Sequence, residues 1–258
     1  LALPSLRRVL CAGAPVPAAL WQGAREFLPQ GKLHSPYGAT EALPVASVSA
    51  DEVDPRVVRG ACVGRVAPGV EAKIIAIADG PLATWADVRE LPRGEVGEIV
   101  VRGPMVTQSY DAQPEATAAA KIKGSADESH ASTPATSSST LLTSGASAPA
   151  WHRMGDCGYF DAEGRLWFCG RKVERVETAS GVLHTEPCEQ VFRAHPRVRR
   201  CALIGLGTRP AQRPAIVVEA EVKDSAAARA FARELRELAV AHEHTRAIKI
   251  FYFHPKFP

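Results

Sequence analysis

Two periods of apolar and polar positions run along this chain, and the first forty residues show both. Leu6-Arg7-Arg8-Val9-Leu10-Cys11 is short and apolar and ends at the small-residue loop Ala12-Gly13-Ala14-Pro15, the pattern of a buried strand. Residues 17–27 then repeat apolar side chains at helical spacing. Leu20, Ala24, Phe27 and Leu28 fall on one side, and Pro17 stands near the first turn, where its missing N–H costs least. Gly31-Lys32-Leu33-His34-Ser35 reads as the next strand and runs into the tight loop Tyr37-Gly38-Ala39-Thr40-Glu41. Strand, helix and strand in this order predict a βαβ unit with a right-handed crossover. The Gly13 loop and the Tyr37 loop then lie side by side at the carboxyl edge of a parallel sheet, where open α/β sheets bind their ligands.

From about residue 60 to 103 the texture changes to short β-rich pieces broken by Gly and Pro, which predicts a small antiparallel barrel or sandwich. Its clearest strands are Glu71-Ala72-Lys73-Ile74-Ile75 and Gly97-Glu98-Ile99-Val100-Val101-Arg102, and no catalytic groups stand out in it. Residues 123–150 are rich in Ser, Thr, Ala and Gly and nearly devoid of large apolar side chains. They cannot bury enough surface to offset chain entropy and read as a disordered excursion. Past it, residues 159–168 alternate as a hairpin around an Asp/Glu/Gly turn. A hairpin around Gly181, a helix over 186–194, strands over 201–206 and 215–222, a helix over 226–242 and a strand over 247–253 follow. In the last helix Phe231, Leu235 and Leu238 recur at helical spacing, with Asp224 or Ser225 placed as its cap. The expected division is 1–171 and 172–258, the second a compact α+β domain.

Composition narrows the class. The 258 residues hold 31 basic and 28 acidic side chains, a net charge of +3, which gives no reason to expect a nucleic-acid partner. No stretch approaches the ~20 apolar residues of a membrane span. Six cysteines, Cys11, Cys62, Cys157, Cys169, Cys188 and Cys201, are scattered without a Cys-x-x-Cys pair, which favours buried reduced thiols of a cytoplasmic protein. His152, Cys157 and Cys169 match no zinc spacing, and burial explains them better. The chain opens on Leu1-Ala2-Leu3-Pro4 without a Met and reads as a fragment of something longer.

The Tyr37 loop carries the candidate chemistry. An aromatic face stacks on a purine, Gly38 lets backbone approach a ligand, Thr40 can donate to a phosphate oxygen, and Glu41 is a carboxylate of the kind Mg²⁺ takes together with substrate phosphates. Each is also an ordinary turn or cap residue. Read together they point to nucleoside triphosphate chemistry.

Five landmarks stand in order: Cys11-Ala12-Gly13-Ala14-Pro15, Tyr37-Gly38-Ala39-Thr40-Glu41, Gly94-Glu95-Val96-Gly97-Glu98-Ile99, Met154-Gly155-Asp156 and Gly170-Arg171. This series resembles the adenylate-forming superfamily of acyl-CoA synthetases, peptide-synthetase adenylation domains and luciferases, over nearly the whole chain except the excursion. The fold class implied is α/β plus α+β: the end of a large AMP-binding domain, with a βαβ unit and a small β-barrel subdomain, then a truncated small mobile domain. The activity implied is joining a carboxylic acid to ATP, with Mg²⁺, to give acyl-AMP and pyrophosphate. The family pattern sets the adenine against Gly13, Ala14, Pro15 and Tyr37, with Gly38 beside it. It gives Thr40 the α-phosphate, Glu41 the Mg²⁺, Asp156 both ribose hydroxyls and Arg171 the ribose or phosphate side. Thr40, Glu41 and Arg171 would be the catalytic residues.

Departures matter too. The family's phosphate-cradling Ser/Thr/Gly loop belongs upstream, and its catalytic lysine belongs downstream of Pro258; Lys256 comes too early to be assigned. From Arg171 to Gly181 the spacing is one residue longer than usual, and Val173 stands near the usual polar hinge position. Ala39 and Ala42-Leu43-Pro44-Val45-Ala46 beside the loop, the Ser/Thr excursion and Arg171-Lys172-Val173-Glu174-Arg175-Val176 look like the β-lactone synthetases of long-chain olefin biosynthesis, often labelled fatty acyl-CoA ligases. That resemblance makes Ala39, Ala42 and Leu43 substrate-side residues, and a fatty or β-hydroxy fatty acid the substrate. Transfer of the acyl group to CoA, association with other pathway enzymes and a non-catalytic nucleotide-binding fragment stay open.

Overall fold

The computed structural model describes residues 2–54, 57–124 and 150–257. Strand β1 (Arg8–Leu10), helix α1 (Ala18–Phe27) and strand β2 (Lys32–Ala39) form the βαβ unit, β1 and β2 pairing in parallel with Val9 opposite Leu33. The expectation that β1 is buried is corrected: among the described residues β2 is its one strand neighbour, and Leu10 is 69% exposed. The inward side of α1 is corrected as well. Trp21, Ala24 and Leu28 face Leu33 and Val48, whereas Leu20 and Phe27 are nearly half exposed. Both stripes have helical spacing, and the one carrying the indole buries the larger apolar area.

Strand β2 does not end before Tyr37 but continues through Ala39. It turns at Thr40 and Glu41 into the antiparallel β3 (Ala42–Ser49), with an irregularity between Tyr37 and Ala39. A Cβ on Gly38 would land on the carbonyl of Ala42, so this glycine serves the hairpin's own close approach.

The sheet then runs on through β4 (Ala61–Val66), β5 (Glu71–Ile75) and β6 (Gly97–Arg102). After helix α2 (Pro114–Ala120) come β7 (Lys121–Ile122), β8 (Trp151–Phe160) and β9 (Leu166–Arg171). The spatial order is β1-β2-β3-β4-β9-β8-β6-β5, with β7 against β8. The antiparallel pieces therefore join the βαβ unit through β3 and β4. One buried cluster takes Ala42 and Val45 from β3, Val63 from β4, Ile74 from β5, Ile99 from β6, Met154 from β8 and Leu166 from β9, so these strands wrap a common interior as a small barrel does. Nearly all of the excursion, 125–149, lies outside the described residues.

The chain continues with β10 (Val176–Thr178) and β11 (Gly181–Leu183), α3 (Thr185–Arg193), β12 (Arg200–Leu206), β13 (Arg213–Glu219), α4 (Ser225–Val240) and β14 (Ile250–His254). β12 and β13 pair antiparallel, β13 and β14 in parallel, and both helices pack on a core that includes Phe192, Ile216, Phe231, Leu235 and Ile248. Asp224 caps α4 by accepting from the Ala227 N–H at 2.8 Å.

Polar contacts tie this part to the first sheet. Gln190 on α3 bonds both backbone groups of Gly60, and Lys172 Nζ lies 3.0 Å from the fully buried Glu98. Arg175 pairs with Asp79 at 2.7 Å. Gly170 lies against α3: with φ at +122°, it occupies a place where a Cβ would land on the Thr185 hydroxyl. All six cysteines are unpaired, four of them buried.

Candidate functional site

A cavity of about 720 Å³ opens where the first sheet meets α3. One wall is the Gly13-Ala14-Pro15 loop with the first turn of α1, and another is the end of β2 from Ser35 to Gly38. Asp156 and Arg171 close a third side, while Gly60, Cys62, Phe168 and Gln190 also face the space. The βαβ connection accounts for the first two walls, since both leave the carboxyl edge of parallel strands. Pairing of β8 with β9 accounts for the third, because it sets Asp156 opposite Arg171 in register.

The charges meet across this corner. Arg171 Nη1 donates to Asp156 Oδ1 at 2.7 Å, and the Tyr37 hydroxyl donates to Asp156 Oδ2 at 2.7 Å. Burial pushes the Asp156 carboxyl above the usual carboxylate range, against the pull of the Tyr37 bond and the Arg171 charge. Burial, with Asp156 beside it, holds the Tyr37 phenol well above its ordinary value, so it remains a donor. Phe168 backs the Tyr37 ring, with centroids 6.1 Å apart. Asp156 lies within β8, and Gly155 before it takes φ +67°.

Thr40 and Glu41 stand on the hairpin turn outside that cavity. Glu41 Oε1 accepts from the Tyr110 hydroxyl at 2.7 Å, and this bond holds the carboxyl below its ordinary value. Lys121 and His152 lie close enough to act on Glu41 electrostatically. Lys121 donates to Thr107 Oγ1 at 3.0 Å. Burial lowers the pKa of His152 to about 4, and its Nδ1 has no hydrogen-bond partner among the described residues.

Gly13, Ala14, Pro15, Tyr37, Gly38, Asp156 and Arg171 thus line one space, and Ala39, Thr40, Glu41, Ala42 and Leu43 do not. The Ala42 side chain is 1% exposed and belongs to the sheet's interior core. Leu43 is exposed. Sequence reasoning missed Tyr110, Phe168 and Gln190. Nothing local marks the first as a partner of Glu41, whereas Phe168 carries a usable signal, two residues before Gly170-Arg171 on the same strand. Among the described residues no group of three or more His, Cys, Asp or Glu side chains is arranged to hold a metal ion.

Known proteins resemble this chain in sequence and in fold. A family profile described as AMP-binding enzyme matches residues 1–111. The chain is 44% identical to the olefin beta-lactone synthetase of Xanthomonas campestris pv. campestris and 45% identical to that of Stenotrophomonas maltophilia, in each case over 99% of this chain and 44% of the relative. The chain belongs to the adenylate-forming, AMP-binding superfamily. It spans about 44% of the length of these two relatives. The amide bond synthetase McbA from Marinactinospora thermotolerans superimposes with a TM-score of 0.69 at 27% identity, over 98% of this chain and 44% of that one. Within the superfamily, the similarity to β-lactone synthetases extends along nearly all of the present chain.

Proposed function

We propose that the protein to which this chain belongs adenylates a long-chain β-hydroxy fatty acid with ATP and closes the product to a β-lactone. The observation that carries the reading is the meeting of Tyr37, Asp156 and Arg171 at the Gly13-Ala14-Pro15 loop, in a cavity large enough for a nucleoside monophosphate. An aromatic ring, a carboxylate with lone pairs to spare and a guanidinium suit a purine, a ribose diol and a phosphate in turn. In the first step a carboxylate oxygen attacks the α-phosphorus and pyrophosphate leaves. In the second, the β-hydroxyl oxygen attacks the acyl carbon, the bond to the phosphate oxygen breaks, AMP leaves and the hydroxyl proton is lost to solvent. Both reacting groups belong to one bound molecule, so holding it folded supplies the proximity that the ring closure needs.

Glu41 fits a Mg²⁺ ligand. It is partly buried, kept ionised by Tyr110, and a single carboxylate is what this ion takes beside phosphates. Bound there, the ion would neutralise phosphate charge. Thr40 on the same turn serves the α-phosphate, and residues 172–258 act as the small mobile lobe. Among the described residues no helix is long and apolar enough to cross a membrane. We place the reaction in the cytoplasm, where ATP is at hand.

The test supplies the intact protein with ATP, Mg²⁺ and a β-hydroxy fatty acid without CoA. AMP release with lactone is the expected result. Strict dependence on CoA would overturn lactone closure in favour of an acyl-CoA ligase, and no pyrophosphate release under either condition would overturn adenylation.

A further inference from the structure

We propose that the Tyr37 hydroxyl is a positioning group for Asp156, turning that carboxylate so that its two unused lone pairs face the vicinal hydroxyls of a ribose. The inference rests on the reading of this cavity as a nucleotide site. A carboxylate offers about four acceptor positions. Arg171 occupies one on Oδ1 and Tyr37 one on Oδ2, each at 2.7 Å. One position on each oxygen is left, the number a 2′,3′-diol requires.

The two clamps differ in rigidity. Arg171 is 53% exposed by side chain and closes β9 immediately before the turn at Lys172–Glu174, so its hold depends on how the residues beyond it sit. Tyr37 is fixed by the sheet: it lies opposite Ala46 in the β2–β3 ladder, and Phe168 backs its ring. Asp156 itself is 4% exposed, and the phenol is the partner that the protein supplies to Oδ2. Of its two partners, the phenol is the one anchored within a central hairpin.

Equilibrium binding of AMP and of 2′,3′-dideoxy-AMP to the intact protein, to Tyr37→Phe, to Asp156→Asn and to the double variant tests this. Phenylalanine keeps the ring and any stacking on the base, so the hydroxyl alone is removed. Tyr37→Phe is expected to weaken AMP about tenfold while leaving the dideoxy analogue within about twofold, the size of one charge-assisted hydrogen bond. In the Asp156→Asn background the second substitution should cost little more, because the group it positions is already altered. Equal weakening of both nucleotides, or unchanged AMP binding, by Tyr37→Phe would overturn the positioning role and leave the nucleotide site standing. Wild-type protein that binds neither nucleotide would overturn the site and the inference with it.

Discussion

The Tyr110 hydroxyl donates to Glu41 Oε1 at 2.7 Å, joining residues 69 positions apart. That bond is the largest influence on the Glu41 carboxyl and holds it below the ordinary carboxylate value. Tyr110→Phe keeps the ring and deletes the bond, so the carboxyl should rise. The proposed Mg²⁺ role requires Glu41 ionised, so under that proposal the acid limb of the pH–rate profile for pyrophosphate release should move to higher pH. The Mg²⁺ concentration giving half the maximal rate should rise about threefold to tenfold. An unmoved limb together with an unmoved Mg²⁺ requirement would separate Glu41 from the ion.

Glu98 is fully buried between two cations, Arg153 at 2.7 Å and Lys172 at 3.0 Å. Removing one member of such a group leaves the others charged and unpaired out of water. Glu98→Ala should therefore cost about 3–5 kcal/mol in chemical denaturation, far more than an exposed ion pair is worth. Arg246→Ala, which breaks an exposed pair with Glu243, serves as the comparison and should change stability by less than about 1 kcal/mol.

The roll of α1 predicts a sharp contrast between adjacent residues. Trp21 is 7% exposed and packs with Ala24, Leu28 and Leu33, so Trp21→Ala should cost about 3–5 kcal/mol. Leu20, nearly half exposed, should cost less than about 1 kcal/mol when changed to alanine. Equal costs, measured by urea denaturation, would place the helix in the other rotation.

Glu189 on α3 gives stability a distinctive pH dependence. Burial pushes its carboxyl up to about 7, although it accepts from the Leu203 N–H and Arg193 stands 3.6 Å away; Glu186 and Glu174 add like charge. The folded state then keeps a proton that the unfolded state loses above about 4.5, so this group makes stability fall between pH 4.5 and 7. His152 and His184, both lowered by burial to about 4, act in the opposite sense: unfolded chains bind protons there below about 6.5, so their contribution rises from pH 4 to 6.5. Glu189→Gln removes only the first effect. Its stability curve should climb more steeply than wild type over pH 4.5–6.5 and lie above it by about 1–3 kcal/mol beyond pH 7. Parallel curves from pH 4 to 8 would show that Glu189 titrates in its ordinary range.

Much of the architecture was readable before any coordinates, because local periodicity and turn chemistry are properties of neighbouring residues. The strands Glu71–Ile75 and Gly97–Arg102, the hairpin at residues 159–168 and the Asp224 cap of α4 all follow from patterns a few residues long. So did the proximity of the Gly13 loop to Tyr37, which a parallel βαβ connection imposes.

Tertiary structure alone decided which face of each element turns inward and which distant side chains touch. Two stripes on α1 have acceptable spacing, and only the sheet beneath it selects Trp21 over Leu20. Ala42 lies beside the Thr40–Glu41 turn in sequence yet packs in the sheet's core, because alternate residues of a strand face opposite sides and the register of β3 chooses between them. Tyr37 reaches Asp156 across 119 positions because β9 pairs with β4 and carries β8 alongside. Strand order and register are set by the summed burial of many residues, and no single stretch of the chain contains that sum.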